Sequence, residues 1–153
     1  AVKAELDNDY SLKYIQARIL NYEKKFSESE TKCDELIEIA PDNSKGYFCK
    51  GLSIVNEELY TNRTNPKKVV INEALKLFTK AIEIDPEFNE AYYLRGTLRF
   101  AMRRHSNRSN RACSDIKKAF LNGYVPAIAY VVKNQLNLNL KDVSCPLRKE
   151  VFK

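Results

Sequence analysis

The sequence predicts an all-α fold built as a solenoid of helical hairpins, and three observations support this prediction. The segments IAPDNSKGYFCKG (39–51) and IDPEFNEAYYLRG (84–96) superimpose without a gap, which aligns their proline, tyrosine and glycine residues. Apolar residues before Pro86 recur near the 3.6-residue period of an amphipathic helix. The 153 residues include only four glycines and five prolines, with 44% hydrophobic and 30% charged residues. This composition is typical of a helical protein, and the internal repeat indicates stacked units.

The signals for individual helices are clearest around the second of these segments. Leu75, Phe78 and Ile82 lie on one helix face, and Pro86 ends that helix because proline cannot continue the hydrogen-bond ladder. The next helix is expected to begin at Asn89, a residue type that caps helix N-termini. Gly96 then lies inside a helix, at a cost of about 1 kcal/mol relative to alanine. This glycine indicates that a neighbouring helix passes close by.

The preceding unit contains a longer connection between its two helices. The first helix is predicted to extend through Leu59 or Tyr60, and a loop at TNRTNP follows it. The second helix is predicted to begin near Lys68 to Ile71. A loop of this length adds little closure entropy. We therefore interpret it as a tolerated surface insertion.

Small residues, aromatic residues and prolines occur together at repeat-specific positions. They are Ala17, Ser29 and Pro41; Tyr47, Gly51, Ala74, Ala81 and Pro86; and Tyr92, Gly96, Ala112 and Ala119. This combination resembles the tetratricopeptide repeat (TPR), although Leu36 stands where alanine is usual and the second and third units exceed the 34-residue period. The resemblance implies a right-handed superhelix with repeats at 10–43, 44–88 and 89–126 and a capping helix at 127–136. These would form one domain over 1–136, followed by a tail at 137–153.

The resemblance also implies a concave groove, lined by the first helix of each repeat, that binds extended or helical peptides. Its expected lining is Ser11, Tyr14, Arg18, Asn21, Tyr22, Lys45, Phe48, Leu52, Val55, Asn56, Glu90, Tyr93, Thr97, Phe100 and Ala101, with Ile128, Val131 and Gln135 added by the capping helix. We select ten of these as peptide-binding residues: Tyr14, Arg18, Lys45, Phe48, Leu52, Val55, Glu90, Tyr93, Thr97 and Phe100.

The middle of this groove is apolar, so the expected partner is another protein that offers an apolar or amphipathic segment, with acidic flanks as a further option. Exposure is favoured for Phe48 and Tyr93, whereas cover by the capping helix or tail is an even alternative for Phe100. Some TPR proteins clamp a C-terminal carboxylate with Lys, Asn and Arg. Tyr14, Cys49, Glu90 and Leu94 occupy those positions here, which argues against a chaperone-tail clamp.

Positive charge is concentrated between Arg95 and Lys118, a segment that contains eight basic residues and one acidic residue, Asp115. The rest of the chain has a net charge of −1. Arg95 and Arg99 are expected to point inward, with Asp115 as the partner of Arg95. The expected exposed basic patch is Arg103, Arg104, Arg108 and Arg111.

The basic patch suggests an alternative function, binding of nucleic acid or an anionic membrane. Nucleic-acid binding usually also needs aromatic stacking platforms near the charge, and His105 alone is weak support for it. A third hypothesis is self-assembly through the exposed ends of the repeat array. The sequence leaves the oligomeric state open.

The residues needed for common catalytic and metal sites are missing from the sequence. The chain has one histidine, His105, and it lacks a Gly-rich phosphate loop, HExxH and GxSxG, so no catalytic residues or cofactors are predicted. Cys33, Cys49, Cys113 and Cys145 lack metal-ligand spacing. The first three are interpreted as small apolar interface residues, and Cys145 is left open to pairing. No apolar run matches a membrane span, so a soluble protein is expected, with the cytoplasm slightly favoured.

Overall fold

The computed structural model describes residues 2–102 and 107–133, and side chains within 8–102 and 110–133. This part of the chain forms seven α-helices and contains no strand. Their bounds are α1 Val2–Tyr22, α2 Phe26–Ile39, α3 Ser44–Thr61, α4 Lys68–Ile84, α5 Asn89–Ala101, α6 Asn107–Leu121 and α7 Val125–Lys133. The chain divides into two compact units: unit 1, Ala1–Glu87, holds α1 to α4, and unit 2, Phe88–Lys153, holds α5 to α7.

Unit 1 consists of four helices in which each packs against the next along the chain. Its core includes fully buried Leu36, Phe48, Ile71 and Phe78. The Phe48 and Phe78 ring centroids are 5.7 Å apart, which joins α3 to α4. Burial of such large side chains contributes about 1.5–3 kcal/mol each.

A disulfide between Cys33 and Cys49 links α2 to α3. Both residues are buried, as expected for cysteines in helix interfaces. The interpretation of these cysteines as merely small apolar residues is wrong, however, because the two sulfur atoms are bonded. Cys113 of α6 is also disulfide-bonded.

Unit 2 contains the α5–α6 hairpin, with α7 packed on α6. A Cβ added to Gly96 would lie 2.8 Å from Ile116 Cγ1 and 3.0 Å from the Ala112 carbonyl oxygen, so only glycine fits between α5 and α6. The predicted close approach at this glycine is confirmed.

Helix boundaries agree with the sequence signals in most of the chain. Helix α4 ends two residues before Pro86, α5 begins at Asn89, and α3 and α4 are separated at the predicted insertion. Within that insertion Glu58 Oε1 accepts a hydrogen bond from the Lys67 backbone N–H, which fixes the start of α4. Helix α1 begins eight residues before the predicted first repeat. Helix α7 begins two residues before the predicted capping helix, and the predicted residues 134–136 lie outside the described part.

Candidate functional site

Four of the predicted peptide-binding residues cluster where α1 meets α3 in unit 1. Arg18 Nη1 donates a hydrogen bond to Tyr14 Oη at 3.0 Å. The Arg18 guanidinium carbon lies 5.6 Å from the centre of the Phe48 ring and 5.8 Å from that of Tyr14. Lys45 Nζ lies 5.6 Å from the Tyr14 ring centre. Two cations are therefore held against aromatic rings, a geometry that is electrostatically favourable. We call Tyr14, Arg18 and Lys45 the cation–aromatic cluster.

The apolar residues expected at the centre of the groove are mostly buried. Phe48 is 0% exposed, and Val55 is also buried, so the expected exposure of Phe48 is wrong. Arg18 lies over the Phe48 ring and Phe78 packs against it. Long arginine side chains often cover apolar surface in this way. Leu52, one turn from Phe48 on the same helix, is half-buried and is the apolar residue that stays accessible here.

A buried polar network, which the sequence reasoning missed, lies beside this cluster. Asn21 Nδ2 donates to Ser53 Oγ at 3.1 Å, and Asn56 Nδ2 donates to Asn21 Oδ1 at 2.6 Å. Ser29 Oγ donates to the Ala17 carbonyl at 2.8 Å and lies 2.7 Å from Ser53 Oγ. Asn21 was expected to line the groove, but it is buried. The network fixes α1, α2 and α3 relative to one another, because a displaced partner would leave a buried polar atom unpaired.

In unit 2 the corresponding surface is occupied by aromatic residues of α7 and the turn before it. Tyr93 lies 5.6 Å from Tyr124 and 5.9 Å from Tyr130, measured between ring centroids. Phe100 stacks on Tyr130 at 6.5 Å and is only 9% exposed, so cover by α7 is the correct alternative for this residue. Burial raises the pKa of Tyr93, which remains half-buried. Tyr124 and Tyr130 were not among the predicted residues.

The remaining predicted residues of unit 2 have varied environments. Thr97 Oγ1 donates to the Leu94 carbonyl of its own helix at 3.1 Å. Glu90 is half-buried. Val131 packs on the core formed by Phe100, Ala112, Cys113 and Ile116, whereas Ile128 is exposed. Gln135 lies outside the described residues.

Two of the arginines in the basic segment point inward, as predicted. Arg95 Nε and Nη2 donate to the two carboxylate oxygens of Asp115 at 3.0 and 2.6 Å, and Arg99 Nη1 also donates to Asp115. Burial lowers the pKa of Arg99, and the charge of Asp115 opposes that effect. The predicted pairing of Arg95 with Asp115 is confirmed.

The predicted basic patch falls largely outside what the structure describes. Arg103 and Arg104 lie outside the described residues, and so does the side chain of Arg108. Arg111, near the start of α6, is exposed. The grouping of these four residues stays a prediction.

Unit 1 also contains a cavity of about 350 Å³ between α2, α3 and α4. It is lined in part by Glu30, Glu57, Glu58 and Glu73, and burial raises the pKa of Glu30. Within the described residues no group of His, Cys, Asp or Glu is arranged to hold a metal ion. Over the same ranges, none of the helices has the length and apolar character needed to cross a membrane.

No protein family and no curated protein matches the chain in sequence. Similar solved structures include the MamA RS-1 ArsTM double mutant, with 16% identity and a TM-score of 0.57 over 78% of this chain. The chain spans 59% of that structure's length. A second is the second TPR of Spaghetti (RPAP3) bound to the HSP90 peptide SRMEEVD, with 18% identity and a TM-score of 0.57 over 77% of this chain and 97% of that one. The chain therefore has the predicted all-α, TPR-like fold.

Proposed function

We propose that the protein is a non-catalytic interaction module that binds an acidic, amphipathic segment of another protein at the cation–aromatic cluster of unit 1. The observation that carries this proposal is the arrangement of Arg18 and Lys45 around Tyr14. A TPR-like fold supports the general class of function, because repeats of this kind offer surfaces lined by their first helices.

The chemistry of the cluster favours carboxylates. The planar guanidinium of Arg18 matches a carboxylate in shape, and its position against two rings restricts its rotamers before a ligand arrives. Prior ordering of this kind lowers the entropy cost of binding. Lys45, which is exposed, adds a second positive charge within reach of the same ligand.

The burial of Phe48 and Val55 changes the proposed ligand from that expected from sequence. With Leu52 as the accessible apolar residue of this face, apolar contact supports binding while charge provides most of the specificity. The RPAP3 domain is bound to a peptide with three acidic residues, which is consistent with acidic ligands for this kind of fold. The residues needed for a carboxylate clamp are absent here, so the proposed ligand is an internal acidic segment and not a chain terminus.

The proposal is tested with fluorescent peptides that carry two glutamates beside leucine or phenylalanine, and with matched peptides that carry glutamine instead. The double variant Arg18→Gln/Lys45→Gln should bind the acidic peptides at least about tenfold more weakly, since it loses two charge-assisted contacts. Anisotropy titrations at physiological salt measure the affinity.

The matched control is Lys68→Gln/Lys76→Gln, which removes two exposed charges of α4 in the same unit. It should bind as the wild type does. An equal loss of peptide affinity in both double variants would show that binding depends only on the overall charge of the protein. Unchanged affinity in Arg18→Gln/Lys45→Gln would exclude the cation–aromatic cluster as the binding site.

A further inference from the structure

The loop between α3 and α4 contains an acceptor motif for N-linked glycans. This motif is an asparagine, then any residue except proline, then serine or threonine, and Asn62-Arg63-Thr64 matches it. The other match in the sequence is 107–109, where the side chains lie outside the described residues. An asparagine-rich chain contains such motifs by chance, so the structural setting of Asn62 has to distinguish an acceptor from a coincidence.

The motif lies on the surface of unit 1, at the point where α3 ends. Asn62 is the C-cap residue of α3, and its carbonyl oxygen accepts a hydrogen bond from the Asn65 backbone N–H at 3.1 Å, which closes a turn. Arg63 and Thr64 within this turn are exposed. The side-chain nitrogen of Asn62 donates to Thr61 Oγ1 at 3.2 Å, a solvent-exposed contact with the preceding residue. Rotation of an exposed side chain therefore frees this nitrogen, and a bulky substituent on it can extend into solvent.

The disulfides indicate the kind of compartment in which the motif would be used. Cys33 and Cys49 are bonded to each other and are 0% and 1% exposed, and Cys113 is also disulfide-bonded. All three cysteines among the described side chains are thus oxidised. Disulfides persist in secreted proteins and in the endoplasmic reticulum, whereas cytosolic ones are rare and usually transient or catalytic. A disulfide buried between α2 and α3 is structural, which favours an oxidising compartment over the cytoplasm.

We propose that Asn62 is an N-glycosylation site and that the chain passes through an oxidising secretory compartment. The side-chain nitrogen of Asn62 forms a bond to the C1 carbon of an oligosaccharide that is carried on a polyprenyl diphosphate. The bond from that carbon to the diphosphate breaks, the diphosphate leaves with the electron pair, and the nitrogen loses one proton to a base of the transferase.

The proposed glycan is separate from the proposed peptide-binding surface. Asn62 follows the last residue of α3, whereas Lys45 lies in its first turn. With a rise of 1.5 Å per residue, the two positions are about 25 Å apart along the helix. Glycosylation at Asn62 therefore does not depend on what the cation–aromatic cluster binds.

The first experiment expresses the chain behind a cleavable secretion leader in cultured animal cells, with Asn107→Gln in every protein so that one motif remains. The parent protein should carry a glycan, and an amidase that releases N-linked glycans should lower its mass. Thr64→Ser preserves the motif and should keep the glycan, whereas Thr64→Ala and Asn62→Gln should lose it. Asn65→Gln, which changes the adjacent asparagine outside the motif, is the matched control and should keep the glycan. The glycan is assayed in total cell protein, so a variant that folds poorly still gives a result.

The second experiment uses the protein captured from its natural source with antibodies against the recombinant chain. The tryptic peptide 51–63 contains Asn62, and mass spectrometry should find it with an attached sugar. After enzymatic release the same peptide should contain aspartate at position 62, because the amidase hydrolyses the glycosylated amide. Fragmentation of the peptide distinguishes this position from Asn56. An unmodified peptide from the natural source, a secreted parent protein without the glycan, or a glycan that persists in Thr64→Ala would overturn the proposal.

Discussion

Tyr10, at the buried side of α1, has a hydroxyl group with an unusual environment. The side chain is 6% exposed, and its hydroxyl is buried beside the Gly46 backbone without a well-formed hydrogen bond. Burial raises the pKa of Tyr10 to about 12, because the ionised phenolate would lose its hydration. In the unfolded chain this pKa is about 10. Between about pH 10 and pH 12 the unfolded state binds fewer protons at Tyr10 than the folded state does. The free energy of unfolding therefore falls as pH rises through this range.

Replacement of Tyr10 by phenylalanine should therefore remove one source of alkaline destabilisation. Relative to Tyr10→Phe, the wild type should lose about 1.4 kcal/mol of unfolding free energy by pH 11, and the loss should continue toward pH 12. At neutral pH the variant should be at least as stable, since an unsatisfied buried hydroxyl is removed. Urea denaturation at several pH values measures this difference, with Tyr60→Phe, an exposed phenol, as the control. Parallel pH profiles for wild type and Tyr10→Phe would contradict the argument.

Asp115 illustrates what the sequence can predict about a single residue. Its pairing with Arg95 followed from helix register, because both positions face the partner helix of a hairpin. The additional bond from Arg99 is consistent with register too, since Arg99 is one turn beyond Arg95. One buried carboxylate thus pairs with two arginines that composition alone would assign to the surface.

At the scale of elements, the contact between α2 and α3 combines several kinds of interaction. The Cys33–Cys49 disulfide lies in the interior, and Lys50 Nζ lies 2.7 Å from Asp34 Oδ1 at the margin. The hydrogen bond to Asp34 raises the pKa of Lys50. Because the cysteines are 16 residues apart in sequence, the disulfide closes a short loop.

The variant Cys33→Ala/Cys49→Ala should be less stable than oxidised wild type by about 3 kcal/mol, the loop-closure term for a ring of this size. Reductant should abolish most of the difference in unfolding free energy between wild type and this variant. The bond itself is detected by tryptic digestion without reductant, which should give the peptides 33–45 and 46–50 as one linked species. Recovery of these two peptides as separate free thiols would show that the bond does not form.

Helix order, the close approach at Gly96 and the insertion before α4 could be predicted because each depends on local spacing. How deeply a side chain is buried could not be predicted in this way. A helical register gives the direction of Phe48 but not the arginine that lies over it, since Arg18 comes from another helix 30 residues earlier. The Cys33–Cys49 disulfide could not be predicted from the sequence either, because the two cysteines lie on different helices and have no recognisable spacing.

At the scale of the whole molecule, charge is divided unequally between the two units. Unit 1 has 13 basic and 16 acidic residues, for a net charge of −3, whereas unit 2 has 13 basic and 4 acidic residues, for +9. The proposed peptide surface thus lies in the acidic unit, where Arg18 and Lys45 act locally. General attraction of polyanions should instead involve unit 2. The two kinds of anion binding are therefore separable by mutation.

A fluorescent single-stranded oligonucleotide and the acidic peptides provide the two probes. The oligonucleotide should bind only at low salt, because contacts with phosphates release counterions and weaken steeply as salt rises. Replacement of Arg103, Arg104, Arg108 and Arg111 by serine should reduce that binding, and Arg18→Gln/Lys45→Gln should leave it unchanged. The same four substitutions should not alter peptide affinity at physiological salt. Oligonucleotide binding that persists at physiological salt and is lost with the four arginines would instead identify the basic patch as the functional surface.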